Sequence, residues 1–259
     1  MPFADNNGVR IHYEVEGEGP PLVLCHGLFG SLEQWRVWGY VEALKDDYQL
    51  VLIDARGHGA SDKPHDPEAY RTETMVADVV SVLDDLNIEK AHFLGYSMGG
   101  QIGWCIGRYA PDRFYSLIIG GMAPYERDPD IHDTDIDIFV PILRKGNKAV
   151  VAALEKSSGV KMVPSIKNIF MNNDPEAIIA RLSRVERVEY DETIATTTLP
   201  CLLYMGEADS GYSKATECID VLPNMTFVTL HNLNHFQVGT RSDLVLPHIM
   251  KFLEKLTIA

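Results

Sequence analysis

A serine lies between two glycines in the pattern Gly-x-Ser-x-Gly, which the chain carries as G-Y-S-M-G over residues 95–99. The motif follows a short apolar run over 91–94 and opens a helical pattern over 97–109. A serine on such a sharp strand-to-helix turn has a strained backbone, and the residues two before and two after it must be small. Its hydroxyl projects at the positive end of a helix. The pattern predicts a nucleophile at Ser97; the alternative is a glycine-rich turn that serves only helix–sheet packing.

A serine hydroxyl is a weak nucleophile and needs a base that is itself oriented by a carboxylate. Downstream of the motif, Asp209 and His235 each follow a short apolar run. Because the carboxyl ends of parallel strands share one edge of a sheet, these side chains can converge on Ser97. We therefore predict a Ser97–His235–Asp209 triad. Glu207 is the nearest rival carboxylate, and the alternatives are a turn-forming Asp209 and a purely structural His235.

Attack by a serine on a carbonyl group creates an oxyanion, which needs hydrogen-bond donors aimed at it. One predicted donor is the backbone N–H of Met98, at the start of the helix that follows the serine. The second is expected from the loop after the apolar run 22–25, where we choose the N–H of Leu28, with Phe29 as the alternative. These residue types together indicate acyl transfer.

The elements that must position these residues follow from hydrophobic patterning. Residues 8–16 alternate apolar and polar, which predicts an antiparallel edge strand covered on one face. Near-continuous apolar runs predict strands buried on both faces, and the full set of such runs is 22–25, 49–53, 91–94, 114–120, 200–206 and 225–230. Helical patterns cover 74–86, 97–109 and 243–256, the first with Asp78 on its polar side. The predicted fold class is α/β, with a mainly parallel sheet and helices on its faces.

The region between the two α/β stretches has a different pattern. It is helical and has no convincing strand, so we predict a helical cap over 124–195 inserted into a core formed by 1–123 and 196–259. Such a cap would fold over the carboxyl edge of the sheet. The predicted substrate-binding residues are apolar side chains of the cap and of the loops beside the motif, namely Phe29, Phe139, Met162, Phe170 and Phe236. The alternative for the cap members is internal packing.

Composition narrows the range of partners. The 259 residues carry a formal net charge of −14, and an acidic field repels phosphate backbones and anionic lipids, so neither nucleic acid nor a membrane surface is expected. The N-terminal sequence lacks the basic and apolar regions of a secretory signal. No apolar stretch reaches the roughly 18–20 residues that span a bilayer. The expected partner is a small-molecule substrate, apolar and uncharged, and self-association into a homo-oligomer stays open.

The cysteines and the acidic residues argue against a metal site. Cys25, Cys105 and Cys201 lie in apolar segments without paired spacing, which predicts buried thiols in a reducing compartment and hence a cytoplasmic protein. A dense run of aspartates over 128–137 lacks the glycine and the closing glutamate of a calcium loop, and we interpret it as a solvated stretch. No metal or other cofactor is expected.

Several short motifs occur along essentially the whole chain. Their combination resembles that of the α/β-hydrolase superfamily. They are His26-Gly27, the D-A-R-G-H-G-A-S stretch over 54–61, G-Y-S-M-G-G over 95–100, G-E-A-D over 206–209 and Asn234-His235-Phe236. The resemblance implies a mostly parallel, eight-stranded sheet with helices on both faces, a helical cap and a cofactor-free serine hydrolase.

The resemblance also implies roles for residues beside the nucleophile. It makes Asp54, Arg56 and His58 members of a structural loop, and His26 a brace for the oxyanion loop. Epoxide hydrolases and haloalkane dehalogenases share this fold but use an aspartate as the nucleophile, so a serine at position 97 argues against both.

The sequence therefore predicts hydrolysis of a small carboxylic ester or lactone through an acyl-enzyme on Ser97. The same triad could serve carbon–carbon bond hydrolysis or perhydrolysis, because fold and triad do not by themselves define the reaction. A third hypothesis from another class is a ligand-sensing receptor built on a hydrolase scaffold. Product analysis separates the first three reactions, and a persistent acyl adduct with slow single turnover would indicate the receptor.

Overall fold

A computed structural model describes residues 1–124, 134–184, 197–217, 219, 222 and 224–256. Its strands are β1 (Phe3–Asn6), β2 (Val9–Glu16), β3 (Pro21–Cys25), β4 (Gln49–Ile53), β5 (Ala91–Tyr96), β6 (Phe114–Gly120), β7 (Cys201–Gly206) and β8 (Met225–Leu230). They form one eight-stranded sheet in the order β1-β2-β4-β3-β5-β6-β7-β8. The β1–β2 and β2–β4 pairs are antiparallel, and the other neighbouring pairs are parallel. The predicted α/β class and mostly parallel sheet are confirmed.

The central strands have continuous apolar sequences because both of their faces are covered. In β3, Val23 and Cys25 join the hydrophobic cluster on one side of the sheet. Leu22 and Leu24 join the cluster on the other side, and all four side chains are fully buried. A strand with two buried faces leaves no position for a polar side chain, so the alternation seen in half-exposed strands is lost.

The predicted antiparallel strand at 8–16 is confirmed as β2, but its predicted position at the edge of the sheet is wrong. A further strand, β1, pairs with the first half of β2, from Val9 to His12, while the second half of β2 pairs with β4. The four residues of β1 read F-A-D-N and are too few to show a period, so patterning gave no signal for them. The edge of the sheet is therefore β1.

The helices are α1 (Glu33–Val37), α2 (Tyr40–Leu44), α3 (Thr72–Asp85), α4 (Met98–Tyr109), α5 (Thr134–Leu143), α6 (Asn147–Ser158), α7 (Pro164–Met171), α8 (Pro175–Ser183), α9 (Tyr212–Glu217), α10 (His235–Thr240) and α11 (Ser242–Glu254). Short 3-10 turns occupy Pro67–Tyr70 and Pro111–Arg113. The three helices expected from the sequence correspond to α3, α4 and α11, and no end differs from its predicted position by more than two residues.

One side chain of α3 does not lie where the pattern placed it. Asp78 is buried, not solvated, and its carboxylate accepts hydrogen bonds from Arg56 Nη2 at 2.5 Å and Asn6 Nδ2 at 2.7 Å. A buried arginine requires a counter-charge, and that partner comes from a distant segment of the chain. Helical periodicity alone therefore misassigned this aspartate.

Between β6 and β7 the described residues 134–184, which we call the helical insertion, contain four helices and no strand. These helices contact one another, and they reach the rest of the molecule through α1, α10 and the turn Pro67–Tyr70. Their apolar side chains Val150, Ile166 and Phe170 belong to the same hydrophobic cluster as Phe29 and Trp38. The helical pattern expected for this region is confirmed where the structure describes it, and the predicted end of the cap at 195 lies outside the described residues.

The buried thiols match expectation. Cys25, Cys105 and Cys201 are all buried, and burial raises the pKa of Cys25 to about 12. Such a thiol carries almost no thiolate at neutral pH and is inert.

Among the helices that the structure describes, none combines the length and the apolar character that a membrane span needs.

Buried His92 in β5 makes the stability of the fold depend on pH. Its Nδ1 lies 2.7 Å from Ser116 Oγ, and burial lowers its pKa from 6.5 to about 4. Between these values the unfolded chain binds a proton that the folded chain does not, so stability falls as the pH drops below 6.5. The linkage amounts to about 2 kcal/mol at pH 5.

We expect His92→Gln, which does not titrate, to remove this contribution. Urea unfolding at pH 7.5 and pH 5 should show the wild type losing about 2 kcal/mol more than the variant. The difference between the two proteins cancels the other histidines, including His58, whose pKa burial lowers to about 3. Equal losses in both proteins would contradict the assignment.

Candidate active site

The G-Y-S-M-G motif forms the turn between β5 and α4. Ser97 has φ 54° and ψ −112°, a region that residues with side chains rarely occupy, and its N–H donates to the Gly120 carbonyl at 2.8 Å. A Cβ at Gly95 would overlap the backbone of Gly99, and a Cβ at Gly99 would overlap the carbonyl of Cys25. Both glycines are therefore required for the serine to stand at the end of the strand.

The structure brings the three predicted catalytic side chains together. Ser97 Oγ lies 2.9 Å from His235 Nε2, and His235 Nδ1 lies 2.7 Å from Asp209 Oδ2. The other carboxylate oxygen, Oδ1, accepts from the Gly211 N–H at 3.0 Å. The Asp209 side chain is 5% exposed and that of His235 is 44% exposed. A shielded carboxylate thus orients an imidazole whose far nitrogen meets the hydroxyl.

Two backbone hydrogen bonds hold the loops that carry the aspartate and the histidine. The loop after β7 donates from the Glu207 N–H to the Leu230 carbonyl and from the Ala208 N–H to the Leu233 carbonyl, each at 3.0 Å. Asn234 caps α10 by accepting from the Gln237 N–H at 3.0 Å, and the Gln237 side chain accepts in return from the Asn234 N–H at 2.9 Å. The position of the imidazole therefore depends on main-chain contacts as well as on the carboxylate.

The rival carboxylate, Glu207, points elsewhere. Its Oε2 lies 3.2 Å from His231 Nδ1 and 3.3 Å from the Asn232 N–H. The contact with His231 lowers the pKa of this glutamate, and its side chain is half exposed. The geometry favours Asp209 as the partner of His235.

The loop after β3 lies against the nucleophile. It makes a turn closed by the Gly30 N–H and the Gly27 carbonyl at 3.0 Å, and a Cβ at Gly27 would lie 3.3 Å from the Cβ of Ser97. Within the described part of the chain, the N–H groups of Leu28 and Met98 make no hydrogen bond to the protein. The structure therefore leaves available both donors predicted for an oxyanion.

A neutral histidine supports the oxyanion loop. His26 is fully buried; its Nδ1 lies 2.8 Å from the Gly27 carbonyl, and its Nε2 accepts from the Ala55 N–H at 3.2 Å. Burial lowers the pKa of His26, so the ring stays uncharged, and these two contacts require the proton on Nδ1. The ring thus links the oxyanion loop to the loop after β4.

The loop after β4 is fixed by a buried aspartate. Asp54 accepts from the N–H groups of Leu32 and Ala60 at 2.8 and 2.9 Å, and it contacts His12 Nδ1 at 2.8 Å. Burial by itself would raise the pKa of Asp54, but the contact with His12 and the other hydrogen bonds hold it below its ordinary value. His58 Nδ1 lies 3.0 Å from the carbonyl of Arg56. These contacts agree with the structural roles that the resemblance implies.

One residue of the site was missed by sequence reasoning. The Tyr96 hydroxyl contacts the carbonyl of His235, and the centre of its ring lies 5.5 Å from the centre of the imidazole. Burial, and then the charge of Asp209, raise the pKa of Tyr96 well above its ordinary value, so the phenol remains a donor. Its position inside the motif is visible in the sequence, but its contact partner lies 139 residues away.

The predicted substrate-binding residues fall into two groups. The ring of Phe29 lies 5.4 Å from that of Phe139 and 5.9 Å from that of Phe170, measured between centroids, so these three are adjacent to the oxyanion loop. Phe236 follows His235 and packs against the same cluster. Met162 belongs to the same cluster, but it also lines a cleft of about 680 Å³ between α6 and α7 on the insertion. Its role in substrate binding stays a prediction.

The acidic run predicted as a solvated stretch lies mostly outside the described residues, since 125–133 are not among them. Among the residues that are described, no group of three or more histidine, cysteine, aspartate or glutamate side chains could hold a metal ion.

Comparison with known proteins agrees with this architecture. A family model described as the alpha/beta hydrolase fold matches residues 20–143. A putative 2-succinyl-6-hydroxy-2,4-cyclohexadiene-1-carboxylate synthase from Bacillus subtilis is 32% identical over 160 residues, 58% of this chain and 56% of that protein. Epoxide hydrolase 4 from Mus musculus is 36% identical over 116 residues, 44% of this chain and 32% of that protein. The chain thus matches about a third to just over half of the length of these relatives.

The solved enol-lactonase from Burkholderia xenovorans superposes with a TM-score of 0.81 at 24% identity, covering 98% of this chain and 100% of that one. At this identity the likeness concerns the fold. Together with the family model and the eight-stranded sheet, it shows that the chain has the alpha/beta hydrolase fold.

Proposed function

We propose that this protein is a serine hydrolase that cleaves a small carboxylic ester or lactone through an acyl-enzyme on Ser97. The observation that carries the proposal is the continuous contact from Ser97 Oγ to His235 Nε2 at 2.9 Å and from His235 Nδ1 to Asp209 at 2.7 Å. A nucleophile, a base and an orienting carboxylate in this order define nucleophilic acyl transfer, whichever fold presents them.

The proposed reaction has two half-reactions. Ser97 Oγ attacks the carbonyl carbon while His235 Nε2 takes its proton, and the same nitrogen then donates that proton to the departing alkoxide. Asp209 keeps the other imidazole proton on Nδ1 and stabilises the imidazolium. The N–H groups of Met98 and Leu28 bind the oxyanion. Water then attacks the acyl-enzyme by the same proton transfers.

An apolar, uncharged acyl group suits the surroundings of the loop. The rings of Phe139 and Phe170 lie 5.4 and 5.9 Å from that of Phe29, measured between centroids, along the side where the insertion meets the oxyanion loop. Such a wall favours apolar groups through burial of surface. The structural neighbour described as an enol-lactonase makes cyclic esters a reasonable substrate class to include.

Ring opening of an epoxide is not proposed, although a relative named epoxide hydrolase 4 is 36% identical over 44% of the chain. In epoxide hydrolases of this fold an aspartate is the nucleophile, and Ser97 occupies that position here. Carbon–carbon bond hydrolysis and perhydrolysis use the same three side chains and are separated by their products.

The test combines a substrate panel with identification of the nucleophile. We expect short-chain nitrophenyl esters and simple lactones to be hydrolysed, an aryl epoxide to be left intact, and a fluorophosphonate to form one adduct that mass spectrometry maps to Ser97. A parallel reaction with hydrogen peroxide would reveal peracid. Epoxide opening without ester hydrolysis, or an adduct on another residue, would overturn the proposal, and a persistent acyl adduct with a single turnover would point to a receptor instead.

A further inference from the structure

The helical insertion is joined to the oxyanion loop by a buried hydrogen bond. Asn173, between α7 and α8, donates from Nδ2 to the Phe29 carbonyl at 2.7 Å. Its longer contacts are with the carbonyls of Phe170 at 3.3 Å and Ile169 at 3.5 Å. The residue is 8% exposed. Asn147 of α6 in turn donates to the Asn173 carbonyl at 2.8 Å. The main chain of Asn173 is thus held within the insertion, while its side-chain amide reaches across to the core.

The carbonyl that accepts this bond belongs to a residue in an unfavourable conformation. Phe29 has φ 66°, in the left-handed region that costs a residue with a side chain about 1 kcal/mol or more. Its ring contacts the rings of Phe139 and Phe170, both in the insertion. Both the carbonyl and the ring of Phe29 are therefore held by the insertion, and nothing in the local sequence favours the conformation.

The conformation of Phe29 decides where the neighbouring N–H groups point. Phe29 is the third residue of the turn closed between Gly27 and Gly30, and a positive φ at that position distinguishes one turn type from the other. The two types differ by a flip of the peptide between Leu28 and Phe29. That peptide carries the Leu28 carbonyl and the Phe29 N–H. Because the loop lies against Ser97, such a flip would re-aim both groups beside the place where the oxyanion forms.

We propose that Asn173 is a positioning residue for the oxyanion hole, acting through the carbonyl of Phe29. The inference rests on the proposed function, since it assumes that this loop, through the N–H of Leu28 or of Phe29, stabilises an oxyanion. The insertion would then contribute to catalysis as well as to the shape of the pocket. The side-chain amide of Asn173 would keep the N–H groups of the oxyanion loop directed at the site of attack beside Ser97.

The test compares Asn173→Leu with the wild type on one ester and two inhibitors. A trifluoromethyl ketone of the same acyl chain forms an adduct whose alkoxide occupies the oxyanion hole, whereas the corresponding secondary alcohol cannot form it. We expect kcat to fall about tenfold, because a displaced donor costs part of what a deleted donor costs. The Ki of the ketone should rise by the same factor, while KM and the Ki of the alcohol stay within twofold.

A matched control breaks a neighbouring contact between insertion and core that does not involve the loop. His65 Nε2 lies 3.0 Å from Asp174 Oδ2 on the surface, and His65→Ala should leave kcat and the ketone Ki unchanged. Rates are divided by the fraction of Ser97 labelled by fluorophosphonate, so that misfolded protein is not counted. Asn173→Ser, which also removes the amide, is measured in parallel and should show the same parallel change in kcat and Ki.

Two results would overturn the inference. One is a loss in kcat without a matching rise in the ketone Ki, and the other is a change confined to KM and the alcohol Ki, which would make Asn173 a wall of the pocket. In either case the wild type would still hydrolyse the ester and label at Ser97. Failure of the proposed function itself would instead appear as a wild type without turnover or label.

Discussion

Ser97→Ala is expected to lower kcat for an activated ester by about 10⁵-fold and to abolish labelling by a fluorophosphonate. The alanine cannot form the acyl-enzyme, and only the oxyanion donors and binding remain to accelerate attack by water. The fold should persist, because the Ser97 N–H to Gly120 bond is made by the main chain and the hydroxyl contacts only His235 among the described residues. Initial rates of nitrophenyl ester hydrolysis measure the effect.

The matched control for this variant is Ser183→Ala. Ser183 is an exposed serine at the end of α8 whose hydroxyl bonds the Ile179 carbonyl of the same helix, and its loss should leave kcat within twofold. Full turnover or fluorophosphonate labelling in Ser97→Ala would show that the nucleophile lies elsewhere. A small residual rate from contaminating wild type would not.

Asp209→Asn is expected to lower kcat about 10⁴-fold with little change in KM. The asparagine would keep its oxygen on the Gly211 N–H, where Asp209 Oδ1 now accepts, and so would turn its NH₂ toward His235 Nδ1. A donor at that place requires the imidazole proton to move to Nε2. The ring could then no longer accept the proton of Ser97.

Glu207→Gln supplies the comparison, since it makes the same chemical change two residues away. The glutamate contacts His231 and Asn232, not the triad, so we expect kcat to remain within about threefold of the wild type. Steady-state kinetics of both variants over pH 5 to 9 distinguishes the two carboxylates. If the glutamine variant were the crippled one and Asp209→Asn nearly normal, the acid of the triad would have been misassigned.

Most strands and three of the helices could be predicted from the sequence alone. Seven strands and the helices that correspond to α3, α4 and α11 follow from local periodicity. Each of these elements buries at least one face, and the apolar residues of that face recur at a regular spacing along the sequence. The order serine, aspartate, histidine after successive strands also predicts convergence, since parallel strands deliver their carboxyl ends to one edge. For the same reason the likeness to the α/β-hydrolase superfamily could be seen from short motifs.

Contacts between distant segments could be decided only by the tertiary structure. Whether Asp209 or Glu207 faces His235 depends on how the loops after β7 and β8 are bonded to each other, and both carboxylates satisfy the sequence pattern equally. The burial of Asp78 depends on Arg56 in the same way.

The remaining features of the site have the same origin. Tyr96 meets the His235 carbonyl across 139 residues, and Asn173 reaches Phe29 across 144. Local sequence determines which face of an element is apolar, because neighbouring residues share one geometry. It does not determine which polar groups meet across the fold, because that depends on strand order, on loop lengths and on how the insertion is seated. The sequence thus predicts a nucleophile at Ser97, and the tertiary structure determines which groups contact that side chain and its neighbours.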